Sequence, residues 1–135
     1  MKNKIYNYPI LIKETYLDLY GHVNNATYLT LFEEARWDFI NRNGYGFNEI
    51  KKTGLGPIIL EISIRYLKEL RLREEIIIQT TTLSYDKKIG KLEQKMIRGK
   101  EECCIASFTI GLFNLKERKL VLPTKEWLNA IGIEP

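Results

Sequence analysis

At 135 residues with 44% hydrophobic side chains, the chain is sized for one domain, spanning 1–135, with a real core. Its 21 basic and 17 acidic residues leave a mild excess of +4 without the long basic run of a nucleic-acid arm. No stretch approaches the roughly 20 consecutive apolar residues of a membrane span, so the expectation is a mature cytoplasmic protein with neither nucleic acid nor membrane as partner.

Residues 5–14 are rich in Ile, Leu and Tyr and carry Pro9, which suits an edge strand better than a central one. A polar loop follows. From Asn24 to about Asn41 there is no Gly or Pro, and Leu29, Phe32, Ala35 or Arg36, Phe39 and Ile40 recur at helical spacing. Asn24 or Asn25 is the expected N-cap, Glu33 and Glu34 lie towards the positive end of the helix dipole, Arg36 and Arg42 towards the negative end, and Gly44 supplies a stop.

After the glycine-rich loop NGYGFNEIKKTGLGP the period changes to two, with Leu60, Ile62, Ile64 and Tyr66 alternating with Glu61, Ser63 and Arg65. A second β-branched run covers residues 75–85, the DKKIG turn leads to a third at 91–98, and Gly99 with Lys100 makes a hairpin into the longest strand, 103–115. Thr124, after Pro123, opens a short amphipathic helix through Trp127, Leu128 and Ile131, closed by Gly132. Adjacent Cys103 and Cys104 point to opposite faces of a strand and cannot easily bridge each other, so reduced core or interface thiols are expected. With no second metal-ligand pair in the chain, neither metal nor cofactor is expected. The order is strand, long helix, four antiparallel strands, short helix. One helix over one face of about five strands makes a segregated α+β architecture with apolar surface left at the sheet edges, for which self-association is the expected remedy.

The polar loop and helix entrance read D-x-x-G-H-V-N-N-x-x-Y-x-x-x-F-E-x-A-R: Asp18, Gly21, His22, Val23, Asn24, Asn25, Tyr28, Phe32, Glu33, Ala35 and Arg36. This resembles the signature of hotdog-fold acyl-CoA thioesterases, the 4-hydroxybenzoyl-CoA thioesterase group in particular, with the plant acyl-carrier-protein thioesterases as relatives. The element order read independently above is the hotdog order, and RYLKELRLREE at 65–75 is a weaker echo of the same family. The resemblance implies a long helix across a curved sheet, two subunits joined edge to edge with active sites at their interface, and a dimer or dimer of dimers. It implies an acyl-CoA substrate, or acyl-carrier protein as the alternative carrier. The family's catalytic carboxylate stands three residues before the glycine, which is Asp18; the backbone N–H aimed at the thioester oxygen comes seven residues later, at Asn25. Gly21, Asn24 and Tyr28 complete the expected substrate contacts, and Lys87 and Lys88 stand where the family holds coenzyme A phosphates at the corresponding turn. The best-studied aromatic-CoA members lack a histidine after the glycine, so His22 inherits no catalytic role from them; among the candidate catalytic residues it is expected to orient Asp18 or the neighbouring subunit through a hydrogen bond, with proton transfer as the alternative.

The chemistry suits these residues. Thioester hydrolysis needs attack on a carbonyl carbon and a place for negative charge on oxygen. A helix N-terminus offers unpaired N–H groups at the positive end of its dipole, and loss of one such donor typically costs about 10²–10³ in rate. A nearby carboxylate can activate water or attack directly to give a mixed anhydride.

Glu33, eight residues after Asn25, is a second candidate, because a sister branch of hotdog thioesterases takes its carboxylate from that position on the helix. That branch has a glycine-rich helix entrance absent here, so Asp18 is expected as base or nucleophile with Glu33 in support. His22 with Glu33 also permits a hotdog dehydratase, which adds water to enoyl-CoA. A non-catalytic acyl-CoA binding or regulatory module is the alternative of a different class, opposed by the presence of Asp18. A serine triad fits poorly: there is no G-x-S-x-G, the single histidine lies in the loop, and Ser63, Ser84 and Ser107 lie in strand patterns.

Overall fold

A computed structural model describes residues 3–133. Strand β1 (Ile5–Leu11) is an edge strand, where a proline's missing N–H is tolerated, and Pro9 sits opposite Ile77. It ends three residues before the expected boundary because the neighbouring ladder begins only at Glu75; Ile12 instead exchanges backbone bonds with Arg73 and Glu74, and a 3-10 turn at Glu14–Tyr16 follows.

Helix α1 (Asn25–Arg42) is capped by Asn24, whose side chain accepts from Ala26 N. Its buried residues are Tyr28, Leu31, Phe32, Ala35, Phe39 and Ile40, one stripe at helical spacing, with Leu29 left half-buried beside it. Burial of each large side chain in the stripe contributes about 1.5–3 kcal/mol.

The expected glycine-rich loop contains a second helix, α2 (Phe47–Thr53). Seven residues with none buried offer no periodicity to read, but Gly54, at φ +72, adopts the left-handed conformation that closes it, and Lys51 and Lys52 occupy its last turn.

The remaining elements are β2 (Leu55–Tyr66), β3 (Glu75–Asp86), β4 (Ile89–Arg98), β5 (Glu101–Asn114), β6 (Lys119–Val121) and α3 (Lys125–Ala130). The sheet runs β1-β3-β4-β5-β2, antiparallel throughout, with β6 added on β5 beyond the point where the β4 ladder ends. The strands therefore number six among the described residues, one more than the rough expectation; three-residue β6 is too short to announce itself. A long helix across an antiparallel sheet in this order is the hotdog fold.

Two bulges alter the simple alternation. In β2 the register slips between Ile59 and Glu61, so Leu60 leaves the face shared by Ile62, Ile64 and Tyr66. On that face Ile62 and Tyr66 are 42% and 50% exposed, because the edge of the sheet on which they stand carries no further strand among the described residues. In β5 the slip opposite Met96 and Ile97 lets both Cys103 and Cys104 be fully buried, as free thiols, instead of dividing between the two faces.

A polar rivet fixes the rotation of α1 on the sheet. The fully buried Gln94 amide donates to Phe32 O and Thr80 Oγ1, each at 3.0 Å, and its oxygen accepts from Arg36 Nη1 at 2.9 Å. The Arg36 guanidinium lies 4.4 Å over the Phe108 ring, and burial pushes its pKa down to about 10. This anchorage determines where the entrance of α1 points.

Candidate active site

Asp18 opens a tight loop that ends at the cap of α1. Leu17 and Val23 pair across its neck, Asp18 N donates to His22 O at 2.8 Å, and Gly21 N donates to Asp18 O at 3.1 Å. Gly21 has φ +78, which the turn requires and which a side chain would strain. Asp18 Oδ1 accepts from Tyr20 N (2.8 Å) and His22 N (3.2 Å), the ordinary turn-forming use of an aspartate. Oδ2 has no hydrogen-bond partner among the described residues. One oxygen thus shapes the loop and the other remains available for chemistry.

The first turn of α1 shows a similar division. Ala26 N donates to the Asn24 and Asn25 side chains and Thr27 N to Asn24 O, whereas Asn25 N–H has no acceptor among the described residues. It is the open donor that the dipole makes attractive to an oxyanion. Tyr66 OH donates to Asn25 O at 3.2 Å, and the Tyr28 ring meets Tyr66 edge-on at 4.9 Å. Burial pushes the Tyr28 phenol up to about 12, so it stays neutral across the physiological range.

The opposite wall is the segment leaving β2. Leu67 N and Lys68 N donate to Cys103 O, and Lys68 Nζ pairs with Glu101 Oε2 at 2.8 Å. His22 Nε2 reaches across to Glu69 Oε1 at 3.1 Å. Asp18, His22, Asn25 and Tyr28 thereby share one open cleft of about 490 Å³ with Tyr66, Leu67, Lys68 and Glu69. The last four were not singled out from sequence; the signal that could have found them is the RYLKELRLREE echo, which packs against the main motif.

The other candidates stand elsewhere in the subunit. Glu33 is eight residues beyond Asn25, about 12 Å along the helix axis. It lines a separate cavity of about 110 Å³ with Arg36, Trp37, Ile59, Leu92, Ile110 and Trp127. Asp18 and Glu33 therefore do not meet in one cavity of one subunit, and neither do His22 and Glu33. Lys87 and Lys88 lie at the β3–β4 hairpin tip beside Leu120 and Leu122, at the far end of β3 from the cleft. Among the described residues no group of three or more His, Cys, Asp or Glu side chains could hold a metal ion, and no helix is long and apolar enough to cross a membrane.

A family model described as the thioesterase-like superfamily matches residues 13–131. The chain is 30% identical over 112 residues to the long-chain acyl-CoA thioesterase FadM of Escherichia coli, covering 82% of this chain and 84% of that protein. It is also 30% identical over 69 residues to the acyl-acyl carrier protein thioesterase ATL2 of Arabidopsis thaliana, covering 51% of this chain and 37% of that protein. Among solved structures, the probable thioesterase YbaW from Escherichia coli aligns with a TM-score of 0.82 at 26% identity, over 92% of this chain and 94% of that one.

Proposed function

This chain belongs to the thioesterase-like superfamily, and from that premise we propose that it hydrolyses acyl-CoA thioesters to free acid and coenzyme A. The observation that carries the reading is the pairing, in one cleft, of an unengaged carboxylate oxygen on Asp18 with an unengaged N–H on Asn25 at the entrance of α1. Asp18 acts as general base on water or as nucleophile; Asn25 N–H receives the charge that develops on the thioester oxygen, and the thiolate departs without an elaborate acid. Asn24 and Gly21 hold the two groups in place, and Tyr28 walls the cleft.

The working unit in this reading is at least a homodimer. One edge of β2 pairs with β5 and the other carries no strand among the described residues, while Ile62 and Tyr66 on the face beside it are largely exposed. Antiparallel addition of a second β2 would cover that face and turn the second sheet end for end. Its hairpin tip would then approach the first subunit's cleft, which is how Lys87 and Lys88 come within reach of coenzyme A phosphates. A cytoplasmic location accords with the two free thiols.

A panel of acetyl-, hexanoyl-, decanoyl-, palmitoyl- and benzoyl-CoA, assayed for released thiol on protein sized by light scattering, tests the reading. Thiol release by a dimer is expected. Acyl-CoA binding without thiol release would make the chain a non-catalytic binder, and hydrolysis only of the corresponding acyl-carrier-protein thioesters would transfer the substrate to that carrier.

A further inference from the structure

We infer that His22 and Glu69 form a clasp that positions Asp18, so that His22 serves as a positioning residue and not as a proton carrier; this rests on the reading of Asp18 as the reacting carboxylate. The Asp18 loop is tied mainly to itself. Its neck pairing and the Asp18–His22 backbone bonds set its internal shape, while its tip has no packing to hold it, Leu19 and Tyr20 being 101% and 83% exposed. Such ties do not set where the loop stands against the opposite wall. The His22 side chain makes that crossing, with Nε2 at 3.1 Å from Glu69 Oε1.

The far side of the clasp is firmly held. Glu69 O accepts from Arg98 Nη1 at 2.8 Å, and Arg98 also pairs with Glu74 at 2.9 Å and Glu101 at 3.3 Å. The next residue, Leu70, is fully buried. On the near side, His22 N is one of the two donors to Asp18 Oδ1, so a displacement of His22 is passed to the carboxylate. The charged and titratable groups around the imidazole are Asp18 on its own loop, Glu69 and Lys68 on the opposite wall, Tyr66 from β2 and Tyr28 from α1. Lys68 is engaged by Glu101, which leaves Glu69 as the partner in contact with the ring.

Magnitudes separate this role from a structural one. The two side chains are 54% and 43% exposed, and exposed pairs contribute little to global stability. A displacement of about 1 Å at a reacting group, by contrast, can cost roughly 10²-fold in rate. Loss of the clasp should therefore be silent in melting and visible in kcat.

The test uses the full chain and the panel thioester cleaved fastest. His22→Ala and Glu69→Ala should each lower kcat about tenfold with KM and Tm unchanged, and the double variant should be no slower than either single one. His22→Gln, which restores an N–H donor towards Glu69 without a titratable ring, should recover kcat to within about twofold of the parent. Losses that multiply in the double variant, His22→Gln as slow as His22→Ala, or full activity in both alanine variants would each overturn the clasp. A loss of roughly 10²–10⁴ in His22→Ala with Glu69→Ala unaffected would make His22 a proton carrier. Asp18→Asn serves as the reference: if it keeps full activity, the reading of Asp18 fails and the clasp with it, whereas an inactive Asp18→Asn beside a fully active His22→Ala removes the clasp alone.

Discussion

The two cavities along α1 differ in the state of their polar groups. At the helix entrance, Asp18 Oδ2 and Asn25 N–H face an open cleft with no partner among the described residues; further along, Glu33 and Arg36 border a small apolar chamber where Arg36 is tied to Gln94 and Gln94 is saturated by Phe32 and Thr80. Unengaged donors and acceptors suit reaction, because they are ready to meet a developing charge. Saturated buried ones suit anchorage, since removing any partner strands the others. The same helix thus carries open groups at its entrance and a fastening further along, where Glu33 borders the chamber as an exposed carboxylate outside the Arg36–Gln94 hydrogen bonds, although its spacing from Asn25 matches a known catalytic position.

The sharpest way to break this contrast is to neutralise each carboxylate in turn. Asp18→Asn should lower kcat by roughly 10²–10⁴ with little change in KM or folding, the range typical of a general base. Glu33→Gln should cost much less. The opposite ranking, measured by steady-state kinetics on folded dimers, would move the chemistry to the chamber.

The fastening predicts a loss of stability instead of rate. Gln94→Ala strands Thr80 Oγ1 and the Arg36 guanidinium and removes the second donor from Phe32 O, and should destabilise the fold by about 3 kcal/mol, read as a lower urea midpoint. At temperatures where the variant remains folded, kcat should change far less than in Asp18→Asn. A stable variant with collapsed kcat would mean that the chamber takes part in turnover.

The smallest expected effect lies at the third region, the β3–β4 tip. Lys87→Ala with Lys88→Ala should raise KM by about three- to tenfold and weaken its salt dependence, leaving kcat nearly intact. A collapse of kcat at unchanged KM would give these lysines some role other than holding phosphates.

Much of this contrast was legible before the fold. Asn24 reads as a cap from its place before a Gly- and Pro-free run, and Phe32, Ala35, Phe39 and Ile40 read as the buried stripe from their spacing. Pro9 signals the edge strand, and Asp18, Gly21 and Asn25 lie within one eight-residue stretch. Short elements were not legible. Helix α2 and strand β6 are too brief for a period to emerge, and the bulges at Leu60 and between Glu102 and Cys104 are set by the partner strand, which local sequence does not reveal. The wall of the cleft escaped for a related reason: Tyr66–Glu69 lies more than forty residues along the chain from Asp18, and only folding brings the two segments together.

Sequence by itself determined the period of each long element and the cap and turn residues, because these follow from backbone geometry over a few residues, whereas the pairing of Asp18 with Asn25 is what the family resemblance implies. Tertiary structure decided that Asp18 retains an unengaged oxygen, that Glu69 meets His22, and that Glu33 lines a different cavity from Asp18. Each of these depends on distances between segments remote in the chain. Those distances are set by how α1 is anchored to the sheet through Arg36 and Gln94 and by the strand order that carries Glu69 to the loop, neither of which a local pattern encodes.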